Sequence, residues 1–176
     1  MRKIKIVADS SCDMFELTHI DFAVAPMKII TDEREFIDED SERVNAYMKR
    51  TGLLFMLRSL KTFANNGRVS PIVAKLVGIA GICVVGKASD EGTLEPMHKP
   101  RGERRALEAL VNCLETEGFR CGKISIGHCQ NEDAAEHLKS LIVEKFKNVQ
   151  IEIHKFRGLC SFYAEKGGVL VGFERA

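Results

Sequence analysis

Residues 123–154 constrain the fold more than any other stretch. Lys123-Ile124-Ser125-Ile126-Gly127 reads as a short strand, residues 132–146 as an amphipathic helix, and residues 149–154 as a second strand. In the helix, Ala135, Leu138, Leu141 and Ile142 fall on one face. Strand, crossover helix and strand of these lengths close as a right-handed parallel unit. The expected class is therefore α/β, with helices packed on a sheet.

The flanking segments extend that unit. Residues 82–87 read as a β-branched strand, Ala88-Ser89-Asp90-Glu91-Gly92 as a turn, and residues 93–99 as the returning arm of a hairpin. Pro100 and Gly102 bracket Arg101 ahead of a helix over 103–117, whose apolar face is Ala106, Leu107, Leu110, Val111 and Leu114. A short helix over 160–166 ends at Gly167-Gly168, and residues 169–173 form a closing strand. At the other end, residues 3–8 read as a strand running into the polar loop Asp9-Ser10-Ser11, the usual ligand position in an open α/β sheet. Residues 22–30 are extended with a bend at Pro26, and residues 34–37 follow a turn. After an acidic connector over 38–42, a helix starts beyond Ser41 and carries Val44, Tyr47 and Met48; residues 51–56 form a strand.

Asn65-Asn66-Gly67-Arg68-Val69-Ser70-Pro71 joins two helices. Upstream, Leu57, Leu60 and Phe63 are at helical spacing and Gly67 suits the left-handed position that ends a helix. Downstream, Ser70 can cap a new helix and Pro71 suits its first position. Arg68 is then held between two helix ends, one of which offers free N–H groups to an anion. The same residues also fit a plain helix joint with a solvated arginine.

Composition excludes several functions. A chain of 176 residues can form one domain, or one domain and a small lobe, and 45% hydrophobic with 29% charged residues is a globular balance. The formal net charge of +1 gives no general field toward nucleic acid or an anionic membrane. The run over 76–86 is too short to span a bilayer, and the basic start, Met1-Arg2-Lys3, leads into no apolar signal-like run. None of the six cysteines has C-x-x-C spacing, so reduced thiols and a cytoplasmic location are expected. Cys121, His128 and Cys129 lack the spacing of a metal site. His128 ends a strand but has no nucleophile elbow beside it, and no phosphate-binding or dinucleotide fingerprint is present, so no enzymatic activity is expected.

Several pieces, taken in order, resemble the DegV family of bacterial fatty-acid-binding proteins. Ile6-Val7-Ala8-Asp9-Ser10-Ser11 is similar to its opening strand and Asp-Ser-Ser/Thr loop. Ala25-Pro26-Met27-Lys28-Ile29 with Phe36-Ile37-Asp38 is similar to its Pro-Leu-x-Ile hairpin. Residues 57–70 resemble its Leu-x-x-Leu-x-x-x-Gly-Arg-Ile/Val-Ser segment, and Lys99-Pro100-Arg101-Gly102 its Lys-Val-Arg-Gly. Residues 167–173 are similar to its last glycine turn and strand. The family's Thr-Ser-Gln-Pro-Ser and Ser-Gly-Thr-x-x-Ser-Ala motifs, whose hydroxyls bind the fatty-acid carboxylate, have no counterpart here. The chain passes from Phe36-Ile37-Asp38 to the helix around Tyr47 almost directly, and the family histidine before the last glycine turn is replaced near Ala164.

The resemblance implies two α/β lobes with mixed or parallel sheets, the N-terminal one truncated. Residues 1–43 would be its remnant and 44–176 the C-terminal lobe, with the junction near 40–45. Loss of the central stretch would expose an apolar edge of the first sheet. The resemblance further implies a cytoplasmic, non-enzymatic carrier that holds a long-chain fatty acid between the lobes and presents it to a fatty acid kinase. Arg68, Arg101, Ser10 and Ser11 would meet the head group or partner, and Met27, Ile29, Ile72, Leu76 and Ile82 the acyl chain. The fatty acid is the expected ligand, with no cofactor and no metal. Each of those apolar residues also fits ordinary core, and Asp9-Ser10-Ser11 also fits a simple turn. Arg101 stands too near the positive end of its helix for dipole pairing, so an anionic ligand or partner explains it better. Arg104 and Arg105 fit a solvated helix face. A shortened paralogue acting as a protein-interaction module is the competing reading. Nucleic-acid binding through Arg101, Arg104 and Arg105 is disfavoured by the neutral charge and few aromatics.

Overall fold

The computed structural model describes residues 5–9, 21–25, 49–66, 81–89 and 93–175. Two of the expected N-terminal strands form a small parallel sheet. In it β1 (Lys5–Asp9) lies beside β2 (Asp21–Ala25), with Lys5 opposite Asp21 and Asp9 opposite Ala25. The expected extended segment at 34–37, the helix beyond Ser41, the junction at 40–45 and the helix from Ser70 lie outside the described residues.

The second sheet has six strands in the order β5-β4-β3-β8-β6-β7. Its members are β3 (Thr51–Leu57), β4 (Val84–Ala88), β5 (Leu94–His98), β6 (Gly122–His128), β7 (Val149–Lys155) and β8 (Val169–Glu174). β6 and β7 pair in parallel, as the strand–helix–strand pattern requires, with Ile124 opposite Ile151. The closing strand β8 is antiparallel to both β3 and β6 and lies between them. The expected hairpin is β4–β5, antiparallel, with a register shift between Val85 and Gly86. The sheet is therefore mixed. The carboxyl ends of β3, β5, β6 and β7 and the amino ends of β4 and β8 all reach one edge.

The helices are α1 (Lys61–Asn65), α2 (Glu103–Thr116), α3 (Glu132–Lys145) and α4 (Gly158–Ala164) among the described residues. α2 buries the stripe its spacing predicts, Ala106, Leu107, Leu110, Val111 and Leu114, and Cys113 with it. It ends in a Schellman motif. Gly118 has φ of 94°, its N–H donates to the Glu115 carbonyl, and the Phe119 N–H donates to the Leu114 carbonyl at 2.9 Å. That turn drives the fully buried Phe119 into the core, edge-on to Phe146 at 5.1 Å and to Phe173 at 6.1 Å between centroids. α2 and α3 thus cover one face of the sheet over Leu54, Met56, Val85, Ile124, Ile126, Val169 and Val171.

The opposite face holds a smaller apolar cluster of Phe55, Leu57, Leu60, Val84, Cys129 and Ala164. Phe63, Leu94, Phe156 and Leu170 pack around it, and Phe63 stacks on Tyr163 of α4 at 4.9 Å. One expectation fails here. The spacing puts Leu57 with Leu60 and Phe63 in a helix register, but it is the last residue of β3, and α1 begins only at Lys61. β3 is paired on both sides, by β4 and by β8, and its run Leu54–Leu57 is buried on both faces. Two ladders of backbone hydrogen bonds outweigh an i, i+3 spacing.

Candidate functional site

Chemistry-bearing side chains converge on the edge where β3, β5, β6 and β7 end. One group lies at the end of β5. Beyond His98, residues 100–102 run antiparallel to residues 81–83. The Cys83 N–H donates to the Pro100 carbonyl at 3.0 Å and the Gly102 N–H to the Gly81 carbonyl at 2.7 Å. Between these bonds Ile82 and Arg101 form a bridge. Residues directly opposite in an antiparallel pair project to the same side. A half-buried aliphatic group and an exposed guanidinium therefore share one spot at the edge. Gly102 then turns at φ of 87° to start α2, a conformation that only glycine adopts without strain.

A second group lies beside the first. Arg58, the residue after β3, ion-pairs through Nη2 with Oε2 of Glu103, the first residue of α2. Asn131 Nδ2 donates to the same Glu103 oxygen at 2.6 Å and to the Gly167 carbonyl at 2.9 Å. The Asn131 N–H donates to Nδ1 of the buried His128 at 3.2 Å, so the neutral imidazole carries its proton on Nε2. Gly167 must be glycine. Its φ is 95°, and a Cβ there would stand 2.6 Å from Cδ of Arg58. The Gly167 N–H donates to the Cys129 carbonyl and the Cys129 N–H to the Gly168 carbonyl, tying this turn to the end of β6.

The ion pair also acts on Cys83. Burial pushes the Cys83 thiol above its ordinary range, the Arg58 charge pulls it back, and the Glu103 carboxylate pushes it up. Cys83, which packs with Val85 and Leu107 on the α2 side of the sheet, thus feels both members of the ion pair. A third contact closes the edge from the other face, where Glu165 accepts a hydrogen bond from the Thr62 N–H at 2.9 Å. Burial raises its carboxyl, but bonds from Thr62 and Ser59 and the charge of Lys61 outweigh that and hold it below the ordinary value.

Of the residues singled out in the sequence, Arg101 and Ile82 are brought together. Ser10, Ser11, Met27, Ile29, Arg68, Ile72 and Leu76 lie outside the described residues. Arg104 and Arg105 are exposed, and Arg104 pairs with Glu108 at 3.2 Å one turn along the helix, as a solvated face would. Among the described residues no three His, Cys, Asp or Glu side chains form a metal cluster, and no helix is long and apolar enough to cross a membrane. Sequence reasoning missed Arg58, Glu103 and Asn131. The one available signal was an arginine directly after an apolar strand.

The sequence profile described as "uncharacterised protein, DegV family" matches residues 37–175. The chain belongs to the DegV family. The motifs read in residues 6–11 and 25–29 fall outside the matched range. A DegV domain-containing protein of Streptococcus pyogenes is 39% identical over 137 residues, which are 78% of this chain and 49% of that protein. One from Streptococcus pneumoniae is 37% identical over 155 residues, 88% of this chain and 55% of its own length. The chain thus spans about half the length of the curated relatives it matches. Among solved structures it is similar to the fatty acid kinase (Fak) B3 protein of Streptococcus pneumoniae loaded with linoleic acid. That match has a TM-score of 0.75 at 39% identity, covering 78% of this chain and 49% of the other. A DegV family protein of Eubacterium eligens loaded with heptadecanoic acid gives a TM-score of 0.75 at 37% identity, covering 81% and 51%.

Proposed function

We propose that this DegV chain is a lipid carrier that binds one long-chain fatty acid and presents its carboxylate to a fatty acid kinase, without catalysing the transfer itself. The observation that carries the reading is the second apolar cluster, which reaches the sheet edge where Ile82 and Arg101 meet. Leu57, Val84, Cys129 and Ala164 stand at that edge. From it the same face runs back along β8 past Leu170 to Gly172, where a Cβ would find nothing among the described residues nearer than the Ser125 carbonyl at 4.0 Å. Leu53, opposite Gly172, is 38% exposed. An apolar strip ending at a guanidinium suits an amphiphile with an anionic head. The linoleic and heptadecanoic acids held by the two similar structures point to its class.

The energetics favour the same ligand. Each buried methylene contributes about 0.8 kcal/mol, so a sixteen-carbon chain gains on the order of 10 kcal/mol before costs. The carboxylate must be hydrogen-bonded or paired with a cation to leave water. Arg101 and Arg68, with Ser10 and Ser11, are the proposed head-group or partner contacts. Met27, Ile29, Ile72, Leu76 and Ile82 are the proposed acyl contacts. The domain reading, residues 1–43 as a remnant lobe and 44–176 as the C-terminal lobe, belongs to this proposal, as does a cytoplasmic location. The test is mass spectrometry of an organic extract of the purified protein. A long-chain fatty acid near one per chain supports a carrier. Its absence, even after incubation with linoleic acid, overturns the reading in favour of a module that binds only protein.

A further inference from the structure

We propose that Gly172 sets how far an acyl chain can run along the second face, and so selects for chain length. The inference rests on the fatty-acid reading above and adds the residue on which the ligand's tail lies. Gly52, Gly86, Gly127 and Gly172 stand in strands of the six-stranded sheet without a positive φ. Three of them make room for a neighbour. A Cβ would overlap the Phe173 ring at Gly52, the Glu95 carbonyl at Gly86 and the Phe156 ring at Gly127. At Gly172 no atom of the described residues comes nearer than 4.0 Å, so neither conformation nor packing among them asks for glycine. A glycine within a strand weakens it, and it often marks a place where a ligand approaches the backbone closely.

Register places Gly172 on the ligand's side of the sheet. It stands opposite Leu53 on β3 and Ser125 on β6, while Leu170, on the same face of β8, stands opposite Phe55 of the second cluster. Alternate residues of a strand share a face, so Leu170, Gly172 and Leu53 continue the strip that begins at Ile82 and Val84. Leu53 is 38% exposed and Leu170 half-buried, so apolar side chains flank an open stretch of backbone. Val84 lies opposite Leu57, which puts Gly172 about six residues, or roughly 20 Å, along the strand direction from Ile82. A short acyl chain whose carboxylate is held beside Arg101 stops before Gly172, and a long one lies on it. Beyond Gly172 the same face carries Thr51 opposite Glu174, where the apolar strip ends in a hydroxyl and a carboxylate. A side chain added at Gly172 would therefore stand in the path of the tail alone.

The test measures dissociation constants for decanoic, dodecanoic, tetradecanoic, hexadecanoic and octadecanoic acids, with a denaturant midpoint for each protein. The proteins are the wild-type chain, Gly172→Ala and Gly172→Val. In the wild type each added methylene is expected to tighten binding by up to about fourfold. Gly172→Val is expected to follow the wild type for the shorter acids and then level off, losing about tenfold to a hundredfold at octadecanoic acid. Its denaturant midpoint is expected not to fall, because valine suits a strand. Gly172→Ala is expected to lose less and to raise the midpoint. A Gly172→Val series parallel to the wild type up to octadecanoic acid overturns the proposal, whether the two coincide or differ by the constant factor of a purely structural effect. If Gly172→Val does not fold, Gly172→Ala is judged by the same criterion. If the wild type binds none of the acids, the fatty-acid reading itself fails and takes this inference with it.

Discussion

Gly86→Ala should be among the most damaging single-methyl additions to this sheet, and Gly172→Ala among the most harmless. Both glycines are in strands of the same sheet and face the same side, since Phe55 lies opposite Gly86 and Leu53 opposite Gly172. A Cβ at Gly86 would lie 2.2 Å from the Glu95 carbonyl oxygen and 2.6 Å from Cζ of Phe55. The first contact is roughly 1 Å short of van der Waals separation, and its partner is backbone that no rotamer change can move. Either β5 peels from β4 at the register shift, or buried Phe55 is forced from its place. Overpacking of this kind costs about 1–3 kcal/mol, and the backbone clash puts Gly86→Ala near the top of that range. The melting temperature of a domain this size should fall by roughly 6–12 °C. At Gly172 the added methyl meets, among the described residues, only the Ser125 carbonyl at 4.0 Å. There the loss of unfolded-state freedom dominates, and the variant should gain about 0.4–1 kcal/mol. Denaturant midpoints at matched slope would measure both. A Gly86→Ala loss below about 1 kcal/mol, or a Gly172→Ala loss as large as that of Gly86→Ala, would refute the packing argument. Because β5 leads directly to Arg101, Gly86→Ala should also weaken any ligand held at the edge.

Ile126→Ala, at a side chain with no exposed surface between α2, α3 and the sheet, should cost about 2–5 kcal/mol in chemical denaturation. The Glu165 carboxyl is held below its unfolded value, so its contribution is present above the ordinary value of 4.5 and is lost as pH falls through the folded one. Glu165→Gln should therefore flatten the acid limb of a stability–pH profile, and an unchanged limb would show that the Thr62 contact carries no linkage. The neutral His128 ring should be the Nε2–H tautomer, readable from its nitrogen chemical shifts; an Nδ1–H signal would contradict the Asn131 bond.

The sequence carried most of the fold because most of its elements are set by local pattern. α2 and α3 show their buried faces at helical spacing, and β6 and β7 bracket α3 closely enough to force parallel pairing. Leu57 misled because three apolar residues at helical spacing carry no information about the two strands that flank it in space. The position of β8 between β3 and β6 was likewise invisible, since strand order is decided by long-range packing. Of the candidate site, the sequence singled out Arg101 and Ile82 separately, without their pairing. The site was not legible at Arg58, Glu103 and Asn131. Those partners are separated by 45 and 28 residues, and each alone looks like an ordinary surface side chain.

The central claim is that the second face of the six-stranded sheet holds an acyl chain whose carboxylate ends at the edge beside Arg101. A crystal structure of the chain grown with linoleic acid tests it most directly. The account predicts elongated density along Leu53, Gly172 and Leu170, ending in a carboxylate within hydrogen-bond reach of an arginine at that edge. Density elsewhere, or a second face filled by the protein's own side chains with linoleic acid absent, would contradict it.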